Sequence, residues 1–139
     1  MILVDTYVIL DILQNDPMWG DWSQQQLEAK SLTTTLCINA VIYAELSIAF
    51  KQIEELEAVL AQGEFRLESI PREALFLAGK AFAKYRKQKG GKTSVLPDFF
   101  IGAHAAVARL PLLTRDRGRY ASYFPTVELI MPQVQYLKS

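Results

Sequence analysis

Apolar residues change their spacing in a regular way along this chain. Ile2-Leu3-Val4 is a short, unbroken apolar run that predicts a buried strand. Over residues 6–15 the apolar positions Val8, Ile9, Ile12 and Leu13 follow helical spacing, and Asn15-Asp16-Pro17 stops the helix. Residues 22–30 predict a second helix, and the threonine-rich stretch 31–36 suits a strand. Asn39 is placed to cap a helix that carries Glu45. A further helix runs to Gln62 and ends at Gly63. Residues 65–70 alternate apolar and polar, as a half-buried strand does. Pro71 opens a long helix reaching about Lys89, where Gly90-Gly91 breaks it. Asp98 stands at the start of a helix rich in Gly102, Ala103, Ala105, Ala106 and Ala108, small residues that permit close packing on a sheet. Residues 111–114 and 127–130 predict the last two strands. Strands alternating with helices predict an α/β fold with a parallel sheet covered on both faces.

The 139 residues suit one ordinary domain, and half of them are hydrophobic, enough for a real core. No apolar run is long enough to cross a bilayer, and the N-terminus lacks the basic and small-residue signals of a secretory leader. The single cysteine, Cys37, excludes an internal disulfide and reads as a small buried hydrophobe. A cytoplasmic setting fits. Lys plus Arg equals Asp plus Glu at 15 each, so net charge does not choose a partner. Its distribution says more. Lys80, Lys84, Arg86, Lys87, Lys89 and Lys92 cluster, and Arg115, Arg117 and Arg119 follow. A basic region on a neutral protein attracts a phosphate backbone, although a solvated helix face is the plainer reading of the 80–92 cluster.

Four carboxylates change the picture. Asp5 ends the first strand, Glu45 interrupts a long apolar stretch, Asp98 precedes Phe99-Phe100-Ile101, and Asp116 closely follows Leu112-Leu113-Thr114. An ionised carboxylate in apolar surroundings is costly unless it is paired or binds a metal. Four such groups suggest a shared hard cation, Mg²⁺ or Mn²⁺. In open parallel sheets, ligands bind beyond the carboxyl ends of the strands. Asp5, Asp98 and Asp116 are expected at that edge, and Glu45 joins them only if its helix packs over it. Each acid also has a plainer role: Asp5 as a helix cap, Glu45 as an ordinary exposed residue inside a helix, Asp98 at a helix dipole, Asp116 in a turn.

The segments Ile2-Leu3-Val4-Asp5-Thr6, Tyr43-Ala44-Glu45-Leu46, Pro97-Asp98-Phe99-Phe100-Ile101-Gly102-Ala103 and Leu112-Leu113-Thr114-Arg115-Asp116, in this order, resemble the PIN domain, and within it the VapC-type toxin ribonucleases. The resemblance covers nearly the whole chain. It implies one PIN-like nuclease domain over residues 1–139, a three-layer α/β/α sandwich with a central parallel sheet. It implies Mg²⁺- or Mn²⁺-dependent endoribonuclease activity with one or two ions, a VapB-like antitoxin as partner, and a homodimer. Asp5, Glu45, Asp98 and Asp116 are the expected metal ligands and catalytic acids. Glu45 either completes the metal shell or orients the attacking water. Hydrolysis then leaves a 5′-phosphate and a 3′-hydroxyl. The alternative is a catalytically silent PIN-like module that binds RNA or protein. A receiver-like signalling domain would need paired acids after the first strand, and a dehalogenase-type phosphatase Asp-x-Asp; Asp5 is followed by Thr6-Tyr7.

Tyr7 departs from the family pattern, which has a small residue there. Its ring either borders the site, where it narrows access or stacks on a base, or points into the core. Thr114, and with it Thr6, are candidates for holding a carboxylate or water; a plain strand threonine is the other reading of Thr114. Arg115, Arg117 and Arg119 are candidate phosphate contacts or solvated loop residues. His104 lies six residues after Asp98, on a different helix face, and reads as structural or as a partner contact. Trp19 and Trp22 read as partner anchors or as local packing. Ile42, Leu46, Ala49 and Ile53 form a stripe that either accepts an amphipathic partner helix or packs in the core.

Overall fold

The computed structural model describes residues 1–88, 95–116 and 118–132. The elements run β1 (Ile2–Val4), α1 (Thr6–Leu13), α2 (Gly20–Ser31), β2 (Leu36–Ile38), α3 (Ala40–Ser47), α4 (Ile53–Gln62), β3 (Arg66–Leu67), α5 (Arg72–Gln88), α6 (Leu96–Ala108), β4 (Leu112–Leu113), α7 (Gly118–Tyr123) and β5 (Leu129–Ile130). The strands form one sheet in the order β3-β2-β1-β4-β5. Every pairing is parallel. The chain steps outward from β1 to β3 and then returns across to β4. With the right-handed crossovers usual for parallel strands, this order places α1–α4 over one face and α5–α6 over the other. That layering is why β1, β2 and β4 are buried throughout rather than alternating.

Register fixes what stands at the carboxyl edge. Leu3 pairs with Leu112 and Val4 with Leu113. The next residues out, Asp5 and Thr114, are therefore neighbours, and the Asp5 N–H donates to the Leu113 carbonyl at 2.9 Å. The core beneath them joins Leu3, Val4, Ile38, Leu112 and Leu113 of the sheet to Ile42 and Leu46 of α3 and to Phe99 and Ile101 of α6. Phe99 also meets Phe82, Tyr85, Tyr123 and Phe124 with ring centroids 5.3–6.0 Å apart, which ties α6 to α5 and to the α7 region. Gly102 is required by this packing. A Cβ there would lie 2.3 Å from the Phe124 ring.

Three expectations need correction. The threonine stretch is not a strand. α2 runs to Ser31, the Lys30 carbonyl accepts the N–H groups of Thr33 and Thr34, and β2 begins only at Leu36. The strand expected over residues 65–70 shrinks to Arg66–Leu67, both exposed at the sheet edge. The stripe Ile42, Leu46, Ala49, Ile53 is not continuous. Ile42 and Leu46 are core residues, whereas Ala49 is exposed and Ile53 is 63% exposed, because α3 ends at Ser47 and α4 starts afresh at Ile53. The helix α7 was not expected. The break at Gly90-Gly91, with Lys89 and Lys92, lies outside the described residues.

Candidate carboxylate-lined active site

Asp5 is the hub of the site. Its extended backbone ends β1 and caps α1, and Oδ1 accepts the Thr6 N–H at 2.8 Å. Oδ2 accepts the Thr114 hydroxyl at 2.7 Å. Capping and site-building thus coexist in one side chain. The same Thr114 oxygen accepts the Asp116 N–H at 3.0 Å, so one buried hydroxyl joins the ends of β1 and β4. Thr6 does the equivalent for α3: its buried hydroxyl donates to Glu45 Oε1 at 2.5 Å. Asn39 sets that helix in place by accepting the Ile42 N–H at 3.0 Å. Asp98 enters on the first turn of α6, just after Pro97.

The electrostatics bind these groups together. Burial pushes the Asp5 carboxyl up to about 7, and the negative charges of Asp98 and Glu45 push the same way; the bonds from Thr114 and Thr6 act against them. Tyr120 of α7, which sequence reading missed, stands in the same field. Its hydroxyl is buried and meets no partner at full hydrogen-bond geometry. Burial, then Asp5, Asp98 and Asp116, hold its pKa well above the usual phenol value. The four expected acids therefore surround a common region, Asp5 innermost and Asp116 exposed. Among the described residues, no three His, Cys, Asp or Glu side chains form a ready metal cage. The donor chemistry nevertheless suits a hard divalent cation: the ligands offered are carboxylate oxygens, and they repel one another around a buried, reluctantly ionised Asp5.

Two shallow clefts meet at Glu45. One, of about 320 Å³, is lined by Thr6, Tyr7, Leu10 and Ile48 among others. The other, of about 300 Å³, lies between Ala40, Val41 and Ala44 of α3 and Leu96, Pro97 and Phe100 of α6. Tyr7 borders the first and is 53% exposed, so its ring does not enter the core.

The arginines divide. Arg115 is not a free phosphate hand: its Nε sits 2.7 Å from Asp11 Oδ2, an ion pair whose N–H is not aligned on the oxygen. Asp11 is buried in α1 and also accepts the Ser23 hydroxyl of α2 at 3.4 Å. Sequence reading passed over Asp11, although an acid inside the apolar run Val8-Ile9-Leu10-Asp11-Ile12-Leu13 needs a partner. The Arg115 guanidinium lies 5.4 Å from the Tyr7 ring centroid and 5.7 Å from that of Trp19. Arg117 and the Arg119 side chain lie outside the described residues. Trp19 and Trp22 meet edge to face at 6.5 Å, which is local packing. His104 is buried, and its Nδ1 accepts from the Asn39 amide at 3.0 Å; burial lowers its pKa, so a neutral structural ring results. Lys80, Lys84, Arg86 and Lys87 are exposed on α5, with Lys80 over the Phe76 ring at 5.1 Å.

A scan of protein families matches residues 2–123 to the PIN domain, and the chain belongs to that family. A search of curated proteins returned no match. Among solved structures, the chain is similar to VapBC2 from Rickettsia felis bound to a promoter DNA fragment, with a TM-score of 0.69 and 20% identity over 94% of this chain and 98% of that one. It is also similar to a toxin–antitoxin complex from Klebsiella pneumoniae, with a TM-score of 0.65 and 22% identity over 95% and 98% of the two chains. A third is FitAcB from Neisseria gonorrhoeae, with a TM-score of 0.63 and 22% identity over 94% and 96%. The fold is therefore the expected α/β PIN fold with its central parallel sheet.

Proposed function

We propose that this chain is a single-domain, divalent-metal-dependent endoribonuclease and the toxin of a VapBC-type toxin–antitoxin pair. The observation that carries the reading is the convergence on Asp5: Thr114 and Thr6 fix its two oxygens, while Asp98 and Glu45 bring their negative charge to bear on it. Membership of the PIN family and the toxin–antitoxin complexes among the similar structures support it.

Asp5, Glu45, Asp98 and Asp116 would hold one or two Mg²⁺ or Mn²⁺ ions. Bound there, the ions would neutralise phosphoryl charge and lower the pKa of water. The chain supplies the rest. Thr114 and the Thr6 N–H hold the Asp5 carboxylate in one orientation. Thr6 holds Glu45, which accepts a hydrogen bond from the attacking water and takes its proton. The water oxygen attacks phosphorus, the bond from phosphorus to the 3′ oxygen breaks, that oxygen takes a proton from solvent as it leaves, and Glu45 returns its own to solvent. The products carry a 5′-phosphate and a 3′-hydroxyl. The protein works in the cytoplasm as a homodimer, restrained by a VapB-like antitoxin that places a basic side chain among the carboxylates.

Expression in a bacterial host tests this reading. The wild-type chain is expected to arrest growth, Asp98→Asn to be harmless at equal level, and co-expression of the neighbouring gene's product to restore growth. Normal growth with abundant folded wild-type protein would contradict it.

A further inference from the structure

Tyr7 is a tyrosine ring in an unusual setting. It sits on the first turn of α1, two residues from Asp5, and is 53% exposed. It lines the cleft of about 320 Å³ that Glu45 and Thr6 also line, so the cleft is continuous with the carboxylate site. The ring is buttressed. The Arg115 guanidinium lies 5.4 Å from its centroid, and that guanidinium is itself held by Asp11 at 2.7 Å and packed on Trp19 at 5.7 Å. Asp11 in turn is fixed between α1 and α2 through Ser23. A half-exposed aromatic ring normally gains entropy from mobility; this one rests against a cation that α1, α2 and the β4 end share.

From this geometry we propose that Tyr7 is the base-stacking platform of the substrate site, receiving the nucleobase beside the scissile phosphate of single-stranded RNA. This inference rests on the ribonuclease reading above. A nucleobase is the occupant that the surroundings favour. It offers a flat face to the ring and tolerates the neighbouring apolar Leu10 and Ile48. Its phosphate would then lie toward the acids, where bound cations compensate its charge. A guanidinium next to the tyrosine ring also suits a stacked base, because cation–π contact and stacking are compatible on such rings. Stacking does not read base identity, so the platform contributes affinity and register rather than strict sequence choice.

The test measures Mn²⁺-dependent cleavage of a short single-stranded RNA by wild type, Tyr7→Phe and Tyr7→Ser. It adds photocrosslinking of the same RNA carrying 5-iodouridine to the Asp98→Asn protein, with adducts mapped by mass spectrometry. Tyr7→Ser is expected to raise KM about tenfold with a much smaller change in kcat, and Tyr7→Phe to stay near wild type. The adduct is expected on Tyr7. Tyr7 is exposed, so the variants are expected to melt as wild type does. Cleavage by wild type with KM unchanged in Tyr7→Ser and no adduct on Tyr7 would overturn the platform while leaving the ribonuclease reading standing. It would leave the cleft to a protein partner. A wild type that neither binds nor cleaves RNA would overturn both.

Discussion

Thr114 Oγ1 lies 2.7 Å from Asp5 Oδ2 across 109 residues of sequence, and that bond is where the two halves of the sheet become one site. The hydroxyl has one proton and gives it to Asp5; its oxygen accepts from the Asp116 N–H. Thr114→Val keeps the shape and removes both interactions, leaving the Asp116 N–H without this acceptor. Metal affinity and cleavage are expected to fall roughly 10–100-fold, while Thr114→Ser remains within a few-fold of wild type. Titration calorimetry with Mn²⁺ and RNA cleavage check this; equal affinity in Thr114→Val would remove its positioning role.

Asp5 sets the pH dependence of the metal-free protein. Its carboxyl is raised from 3.8 to about 7, so the folded state binds its proton more tightly than the unfolded chain. Its contribution to stability is therefore greatest below pH 3.8 and is lost as pH rises toward 7. Above that, ionised Asp5 costs on the order of 4 kcal/mol. Asp5→Asn can still cap α1 and is expected to be more stable than wild type in EDTA at pH 8, with the advantage shrinking toward pH 4. Denaturant melts of both proteins across that range check it, and an advantage that does not vary with pH would refute the assignment.

A cation shared by the acids also couples metal to folding. Mn²⁺ at about 100 times its Kd is expected to raise the melting temperature by roughly 5–10 °C. Asp98→Asn or Asp116→Asn is expected to reduce that rise. Thermal melts with and without EDTA measure it, and a wild-type melt indifferent to Mn²⁺ would count against a shared site.

Gly102→Ala tests the packing behind Asp98. The added methyl would overlap the Phe124 ring, so a loss of about 1–3 kcal/mol is expected. Phe124→Leu combined with it is expected to recover part of the loss, as denaturant unfolding can show.

The strands that carry the site were legible because each is a short apolar run closed by an acid or a threonine. Ile2-Leu3-Val4 before Asp5 forms as expected, and the strand expected over residues 111–114 forms at Leu112–Leu113, before Thr114. Thr33 and Thr34 misled because β-branched residues also serve in the turn that follows a helix, and the Lys30 carbonyl holds them there. The stripe from Ile42 to Ile53 misled because helical spacing says nothing once a break intervenes. Arg115 was legible as a charge near the site but not as the partner of Asp11, 104 positions earlier; no local pattern encodes that pairing. Tyr120 carried no signal beyond its place four residues after Asp116, since only the fold buries its hydroxyl among the acids.

Metal-dependent hydrolysis of RNA is the activity proposed for the Asp5-centred acids. Its most direct measurement is incubation of the purified protein with single-stranded RNA in Mn²⁺ or EDTA, alongside Asp5→Asn and Asp98→Asn, with the product ends analysed. Cleavage in Mn²⁺ that leaves 5′-phosphates, is abolished by EDTA and is lost in both variants is the predicted result. Cleavage that persists in EDTA, or in either variant at the wild-type rate, would contradict the account.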